Sequence, residues 1–217
     1  MTNIVEPYIE EYLNEIYPKE DAYLSKLREI AVEDSVPIID RQVGEHIKLL
    51  LKLTKPKSIL ELGTAIGYSA SLMAKTLMDV KIDTVEIQPT MAVMARTNFH
   101  NQKLEDRISL HVCDAIKYLQ ETNKKYDFIF IDAAKGQYEE FFELSLECLE
   151  KDGLIVMDNV LFHGMIASNE YAIRRKVTII KRLRRFLPEI LSSDKFDSSL
   201  LPIGDGLLLI RRKDEES

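Results

Sequence analysis

The stretch that decides the fold is "SILELGTAIGYSASLMAKTLM", residues 58–78. Its first five residues suit a short buried strand, glycines follow at positions 63 and 67, and the remainder has the length and composition of a helix. Glycine in a strand-to-helix turn permits positive φ and a close approach of backbone and ligand. The stretch therefore predicts the first strand–turn–helix unit of an α/β sheet.

The same alternation continues along the chain. Strands are predicted at residues 81–87, 108–112, 126–131 and 153–157, with helical segments between them, which indicates a mainly parallel sheet covered on both faces. Segments 189–193 and 206–212 are predicted as two further strands, and because no helix separates them we expect an antiparallel hairpin at the sheet edge. Residues 1–55 have helical spacing, so we expect an N-terminal helical cap on a core of residues 56–217, within one domain spanning 1–217.

Composition indicates an ordinary soluble enzyme or binding protein. The 217 residues are 46% hydrophobic and 30% charged, with a net charge of −7. No apolar run approaches the roughly 20 residues of a membrane helix, and the first residues lack the basic start and apolar centre of a secretion signal. Cys113 and Cys148 have no CxxC spacing. We therefore expect a cytoplasmic protein with reduced thiols and no membrane contact.

The first glycine turn, "ELGTAIGYS" at 61–69, argues against a dinucleotide phosphate site. It has the pattern Glu61-x-Gly63-x-x-x-Gly67 and lacks the third glycine of GxGxxG. A carboxylate two residues before the first glycine disfavours a bound pyrophosphate, which needs a positive helix N-terminus. The turn is better suited to a cationic ligand.

The second and third predicted strands also end at acidic residues. Glu86 comes 23 residues after Gly63, a distance at which an acidic residue commonly accepts hydrogen bonds from ribose hydroxyls. Asp114, in "CDA", could hold the edge of an adenine ring. The alternatives are that Glu86 is a solvated strand end and that Asp114 is the N-cap of the following helix.

The fourth and fifth predicted strands end in "FIFIDAAKGQY" (128–138) and "LIVMDNV" (154–160). Asp132 and the pair Asp158-Asn159 could therefore bring three oxygen ligands together. Because no Cys or His cluster accompanies them, zinc is disfavoured, and oxygen ligands suit Mg²⁺ or another hard divalent cation. The alternatives are that Asp132 and Asp158 only cap the next helices or turns, and that Lys135 is a solvated loop lysine.

A basic segment lies at residues 170–185, "EYAIRRKVTIIKRLRR", with seven Lys or Arg residues against one Glu. Such a block in an acidic protein suggests an anionic partner, with a solvated helix as the alternative. The apolar residues at helical spacing are expected to face the core; they are Ile173, Val177, Ile180, Leu183 and Leu187.

The set "ELGTAIGYS … VEIQP … CDA" resembles the S-adenosylmethionine-dependent class I methyltransferases. The resemblance implies a Rossmann-like, seven-stranded, mostly parallel sheet with an antiparallel edge hairpin, helices on both faces and extra N-terminal helices. It implies that Glu86 holds the ribose of S-adenosylmethionine, that Asp114 lies near the adenine, and that Glu61, Gly63 and Ser69 lie near the methionine end. The implied cofactor-binding residues are Val36, Glu61, Gly63, Ser69, Glu86, Asp114, Ala115 and Asp132.

The motifs "FIDAAKGQY … MDNVLFHG", with "VPI" upstream, resemble the cation-dependent O-methyltransferases, which include the catechol and caffeoyl-coenzyme A enzymes. The resemblance implies that Asp132, Asp158 and Asn159 are metal ligands, with Mg²⁺ as the expected ion. It also implies catalytic roles for Asp132 and for Lys135, which would help to deprotonate the accepting hydroxyl.

A metal that chelates its substrate favours an acceptor with two vicinal oxygens, as in a catechol or in 5-hydroxyuridine. The segments "DNVLFHG", the arginine-rich helix and "PIGDGLLLIRRK" are similar to those of bacterial tRNA 5-hydroxyuridine methyltransferases. That likeness implies a homodimer that methylates the wobble base and contacts the tRNA anticodon stem-loop. The alternatives are a small-molecule catechol-type enzyme and a non-catalytic nucleotide- or RNA-binding module. The implied tRNA-contacting residues are Arg174, Arg175, Lys176, Lys181 and Arg182.

Overall fold

The computed structural model describes residues 4–168 and 173–214. The helices are α1 (Pro7–Ile16), α2 (Ala22–Glu33), α3 (Arg41–Thr54), α4 (Tyr68–Thr76), α5 (Pro89–Asn101), α6 (Ala115–Glu121), α7 (Tyr138–Cys148) and α8 (Val177–Leu191). The strands are β1 (Ser58–Leu62), β2 (Lys81–Glu86), β3 (Ile108–Val112), β4 (Tyr126–Ile131), β5 (Leu149–Met157), β6 (Phe196–Leu201) and β7 (Leu207–Arg212). Short 3₁₀ turns, Lys135–Gln137 and Arg174–Lys176, precede α7 and α8.

The seven strands form one sheet in the order β3-β2-β1-β4-β5-β7-β6. Strands β1 to β5 pair in parallel, whereas β7 is antiparallel to both of its neighbours. The predicted fold class is therefore confirmed, including the hairpin at one edge. The strand order reverses between β1 and β4, and in open α/β sheets ligands bind beyond the carboxyl ends of the strands at this point.

The predicted strand at 189–193 is wrong. Helix α8 continues to Leu191, and the edge strand β6 begins only at Phe196. The reason is that the buried stripe of α8 extends through Leu187 and Ile190, so packing against the sheet keeps this segment helical although Pro188 lies within it. Ile173, predicted to face the core, lies outside α8 and is 48% exposed.

Side-chain alternation along the strands builds two cores, one on each face of the sheet. On one face Ile59, Phe128 and Val156 pack with residues of α2 to α5. On the other face Ile129 and Ile155 pack with residues of α6, α7 and α8. The sheet is therefore covered on both sides, and only the edges formed by the strand ends are open to a ligand. No helix in the described part of the chain has the length and apolarity needed to cross a membrane.

Helices α2 and α3 are part of the first core rather than a loose appendage. Val43, Ile47 and Leu51 of α3 are fully buried in the same cluster as Ile59 of β1. Helix α1 differs because none of its residues is buried, and its Tyr8 and Tyr12 are 68% and 59% exposed. The connection from α2 to α3 carries Val36 and Pro37 over the carboxyl ends of the strands, where both residues line cavities.

Candidate active site

Backbone hydrogen bonds hold the three central strand ends in register. The amide of Gly63 donates to the carbonyl of Val85 (3.0 Å), that of Asp132 to Leu62 (2.9 Å), and that of Asp158 to Ile131 (3.0 Å). Each bond extends the parallel ladder by one residue beyond its strand. The first residues of the loops after β1, β4 and β5 are therefore fixed beside one another, and the side chains of Asp132 and Asp158 start from a rigid edge.

The close packing of the loops after β1 and β4 requires glycine at position 63. Its φ is +103°, and a Cβ built at this position would overlap the carbonyl oxygen of Asp132. Only glycine combines this backbone conformation with so little space. The positive φ predicted for the first turn is confirmed at this residue, and the segment that approaches it closely is the backbone at Asp132.

A cavity of about 420 Å³ lies over the ends of β1, β2 and β3. Six of the eight predicted cofactor residues line it: Val36, Gly63, Glu86, Asp114, Ala115 and Asp132. Further lining residues that the sequence analysis missed include Ala65, Gln88, Met91, Cys113 and Phe141. The lining combines mainly apolar side chains with the carboxylates of Glu86, Asp114 and Asp132, which is the usual chemistry of a small-molecule site.

Glu86 and Asp114 have roles in local structure as well as positions in the cavity. Glu86 accepts hydrogen bonds from the amides of Ala65 and Gln88, both at 2.8 Å. It therefore shapes the first turn and is 8% exposed, not a solvated strand end. Asp114 accepts from the amides of Ile116 and Lys117, so it is the N-cap of α6, as the alternative proposed, while it also lines the cavity.

Glu61 and Ser69 lie behind the cavity wall. Glu61 is fully buried, accepts a hydrogen bond from the hydroxyl of Thr84, and has no partner for Oε1 among the described residues. Burial raises the pKa of Glu61 to about 8, although hydrogen bonds from Ser69 and Thr84 lower it. A positive charge bound in the adjoining cavity would favour the ionised form of this carboxyl group.

A second cavity, also of about 420 Å³, adjoins the first. It is lined by Asp132, Lys135, Asp158 and Asn159, the four residues of the predicted metal and catalytic set. Asp132 and Pro37 line both cavities. A molecule bound in one cavity can therefore meet a molecule bound in the other beside Asp132.

Asp132 and Asp158 suit a cation. Burial raises the pKa of Asp132 to about 6, with Lys135 opposing the shift, and burial together with the charge of Asp132 raises that of Asp158 well above its ordinary value. The predicted ligand set joins these two carboxylates to one amide, Asn159, whose φ of +56° is unusual for a non-glycine residue. Within the described ranges no cluster of three or more His, Cys, Asp or Glu side chains is arranged as a metal site.

The alternative that these carboxylates only cap turns does not fit Asp132. The 3₁₀ turn after β4 begins from Ala134 without a side-chain cap. Asp158 accepts a hydrogen bond from the adjacent amide of Asn159 (2.7 Å), and its own carbonyl accepts one from the hydroxyl of Tyr138 (2.6 Å). Asp158 is buried and Asp132 is half-buried, and their carboxylate oxygens are the kind of donor that hard divalent cations prefer.

Lys135 is not a solvated loop lysine. Its side chain is 25% exposed, and its Nζ lies 3.8 Å from Oδ2 of Asp205 and 5.9 Å from the ring centre of Phe162. Asp205 and His163 also line the second cavity, as do Asp40 and Glu10. The sequence analysis missed these four residues, although glycines on both sides of Asp205 were a usable signal for a tight turn.

The basic residues of the α8 segment divide into two groups. Arg182 donates to the carbonyl of Gly136 (2.6 Å), and Arg185 forms an ion pair with Glu139. Arg174, Arg175 and Lys181 are exposed, and Lys176 lies with Nζ 5.4 Å from the ring centre of Phe162. The basic segment predicted at residues 170–185 begins with residues 170–172, which lie outside the described residues.

A family model described as "O-methyltransferase" matches residues 14–213. The chain belongs to the O-methyltransferase family. A caffeoyl-CoA O-methyltransferase from Stellaria longipes is 30% identical over 212 residues, which cover 91% of this chain and 86% of that protein. Residues 14–213 include all seven strands and every residue of the predicted metal, catalytic and cofactor-binding sets.

Solved structures support the same family membership. A Staphylococcus aureus protein assigned as a caffeoyl-CoA O-methyltransferase is 32% identical, with a TM-score of 0.88 over 95% of this chain and 100% of that one. The Podospora anserina methyltransferase PaMTH1, solved with SAH bound, is 26% identical, with a TM-score of 0.87 over 95% and 94% of the two chains. The class I methyltransferase fold expected from the sequence is confirmed.

Proposed function

We propose that this O-methyltransferase transfers a methyl group from S-adenosylmethionine to one of two vicinal oxygens on a small aromatic acceptor, with a divalent cation bound beside the acceptor. The observation that carries the proposal is the pair of adjoining cavities that share Asp132. One cavity has the residues expected to hold the methyl donor. The other has the residues expected to hold the metal and the acceptor.

The donor cavity suits S-adenosylmethionine in shape and charge. Glu86, which would hold the ribose, and Asp114, which would lie near the adenine, both line this cavity, and buried Glu61 would lie near the methionine end. A sulfonium and an ammonium group are both positive, so acidic surroundings favour them. The bound SAH of PaMTH1, a relative of the same fold, supports this assignment.

In the second cavity Asp132, Asp158 and Asn159 would hold the cation, with Mg²⁺ as the expected ion. When bound, a divalent ion there would stabilise the oxyanion of a hydroxyl group. Lys135 lies in the same cavity and would accept the hydroxyl proton or orient the oxygen. The walls restrict the approach of the acceptor to the donor cavity, so placement supplies much of the rate acceleration.

The test is an assay of the purified protein with S-adenosylmethionine, Mg²⁺ and a set of ortho-dihydroxy aromatic compounds, including caffeate and a caffeoyl thioester. We expect a single O-methylated product that disappears in excess chelator and returns when Mg²⁺ is restored. Compounds with one hydroxyl group should be poor acceptors. Turnover that persists in chelator, or equal rates for monohydroxy compounds, would contradict the proposal.

A second candidate is methylation of 5-hydroxyuridine at the tRNA wobble position. It is favoured by the exposed basic residues in α8 and the turn before it, Arg174, Arg175 and Lys181, which could bind phosphates. Two of the related proteins described above are named for a small-molecule substrate, so we place this candidate second. Nucleoside mass spectrometry of tRNA from a strain that lacks the protein tests this candidate. Accumulated 5-hydroxyuridine would support tRNA as the substrate, and an unchanged amount of 5-methoxyuridine would exclude it.

A further inference from the structure

The acceptor cavity contains a buried carboxylate that neither the metal set nor the role of Lys135 explains. Asp205 lies in the turn before β7 and is 8% exposed. Its neighbours Gly204 and Gly206 have φ values of +57° and +90°, and a Cβ at Gly206 would overlap the side chain of Leu161. The turn is therefore built around glycines that bring Asp205 against the loop after Asn159.

The two oxygens of Asp205 have different partners. Oδ1 accepts a hydrogen bond from the backbone amide of His163. Oδ2 lies 3.5 Å from Nδ1 of His163 and 3.8 Å from Nζ of Lys135, and it has no hydrogen-bond partner among the described residues. Main-chain bonds from Leu161 to Asp205 and from Val160 to Gly206 hold the same loop. One carboxyl group therefore contacts both the loop and the lysine.

Anchoring the loop does not require a charge, because an asparagine could accept the same hydrogen bond through its amide oxygen. A buried carboxylate is costly unless a cation lies near it. The groups that face Asp205 are Lys135, His163 and the acidic Asp40. Asp132 and Asp158 also attract the lysine ammonium group. The position of that ammonium group in the cavity therefore depends on the third carboxylate, that of Asp205.

We propose that Asp205 is a positioning residue for Lys135: its carboxylate holds the lysine ammonium group at the acceptor cavity and leaves Asp132 and Asp158 to the cation. This inference rests on the proposed function. Asp205 acts through Lys135 and directs its ammonium group, a hydrogen-bond donor, toward the acceptor oxygen. The contact also links the turn before β7 to the loop after β4.

The test uses Asp205→Asn, which keeps the acceptor for the His163 amide and removes the charge. Asp197→Asn, at an exposed position of β6, is the matched control. We expect Asp205→Asn to lower kcat about tenfold or more, with acceptor KM and cofactor affinity within about threefold of wild type. Asp205→Glu, which keeps the charge, should retain more activity than Asp205→Asn.

A double-mutant cycle separates positioning from a structural role. In a Lys135→Met background, Asp205→Asn should change kcat by less than about twofold, because the residue through which it acts is gone. An equal loss in both backgrounds would overturn the inference. Crystal structures of the variants test the proposal without an acceptor. Lys135 should leave its site in Asp205→Asn and stay there in Asp197→Asn. An unmoved Nζ in Asp205→Asn would refute the proposal even if no acceptor is ever methylated.

Discussion

At the level of single residues, the site depends on a few positions at which the surrounding atoms restrict the choice of side chain. Gly63 has to be glycine because the carbonyl of Asp132 occupies the place of a Cβ. Desolvation raises the pKa values of half-buried Asp132 and buried Asp158, which makes their ionised forms costly without a cation. The proposed cation site would offset this cost.

Gly63→Ala should destabilise the protein and weaken cofactor binding. The new Cβ meets backbone rather than a flexible side chain, so strands β1 and β4 have to separate, and we expect a loss of about 2–4 kcal/mol in the free energy of unfolding. Urea denaturation and titration with SAH measure the two effects. Gly136→Ala is the control, because a Cβ there meets nothing within 4 Å; equal stability of the two variants would contradict the prediction.

Asp158→Ala should abolish methyl transfer and spare cofactor binding. The substitution removes one proposed metal ligand from the second cavity, whereas Asp158 does not line the first. We expect kcat to fall about 100-fold or more because the developing oxyanion loses its cation. Calorimetric titration with SAH should be unchanged. Asp152→Ala, at an exposed position of β5, should behave as wild type in both assays, and undiminished turnover of Asp158→Ala would remove the metal from the mechanism.

At the scale of elements, α8 serves two purposes with its two faces. Ile180, Leu183 and Ile190 are buried against the sheet, and this packing carries the helix past the point at which the sequence predicted a strand. Its arginines are not equivalent, because Arg182 and Arg185 bond to the segment that contains Lys135 and to α7. The residues open to a polyanion include Arg174 and Arg175, in the turn before α8, and Lys181 within the helix.

Replacing Arg174 and Arg175 together by alanine tests the tRNA candidate. If the start of α8 binds phosphates, tRNA affinity should fall and the slope of log affinity against log salt should decrease by about 2, with cofactor affinity unchanged. Filter binding at several salt concentrations measures the slope. Arg185→Ala is the control, because Arg185 is paired with Glu139. An unchanged slope in the double variant would exclude these residues as a tRNA contact.

For the molecule as a whole, a polar network beside α6 connects strands β2, β3 and β4. Asp83 of β2 accepts hydrogen bonds from Nζ of Lys124 (2.8 Å) and from the hydroxyl of Tyr126 (3.1 Å), and its Oδ1 lies 2.6 Å from Nε2 of His111. Burial acts to raise the pKa of Asp83, but Lys124 and His111 outweigh it and hold the pKa below its ordinary value. The ionised form therefore stabilises the fold.

The sign of this shift gives a pH dependence of stability. Because the pKa is lower in the folded state, the stabilisation is present above the unfolded pKa, near 3.8, and is lost as the pH falls through the folded value. Asp83→Asn should lower the free energy of unfolding by about 1–3 kcal/mol at pH 7, and the difference from wild type should shrink at acid pH. Urea denaturation from pH 3 to 7 measures it. Exposed Asp79→Asn should show no such convergence.

Local sequence patterns were enough to predict the α/β alternation, the glycine turn and the acidic residues at the strand ends, because apolar periodicity and turn chemistry are local properties. Three features could be read only from the folded chain: residues 189–191 are helical, Glu61 lies behind the cavity wall, and Asp205 contacts Lys135. Those outcomes depend on which surfaces pack together across the sheet: Lys135 and Asp205 are 70 residues apart in the chain, and only the pairing of β4, β5 and β7 brings their loops to one edge.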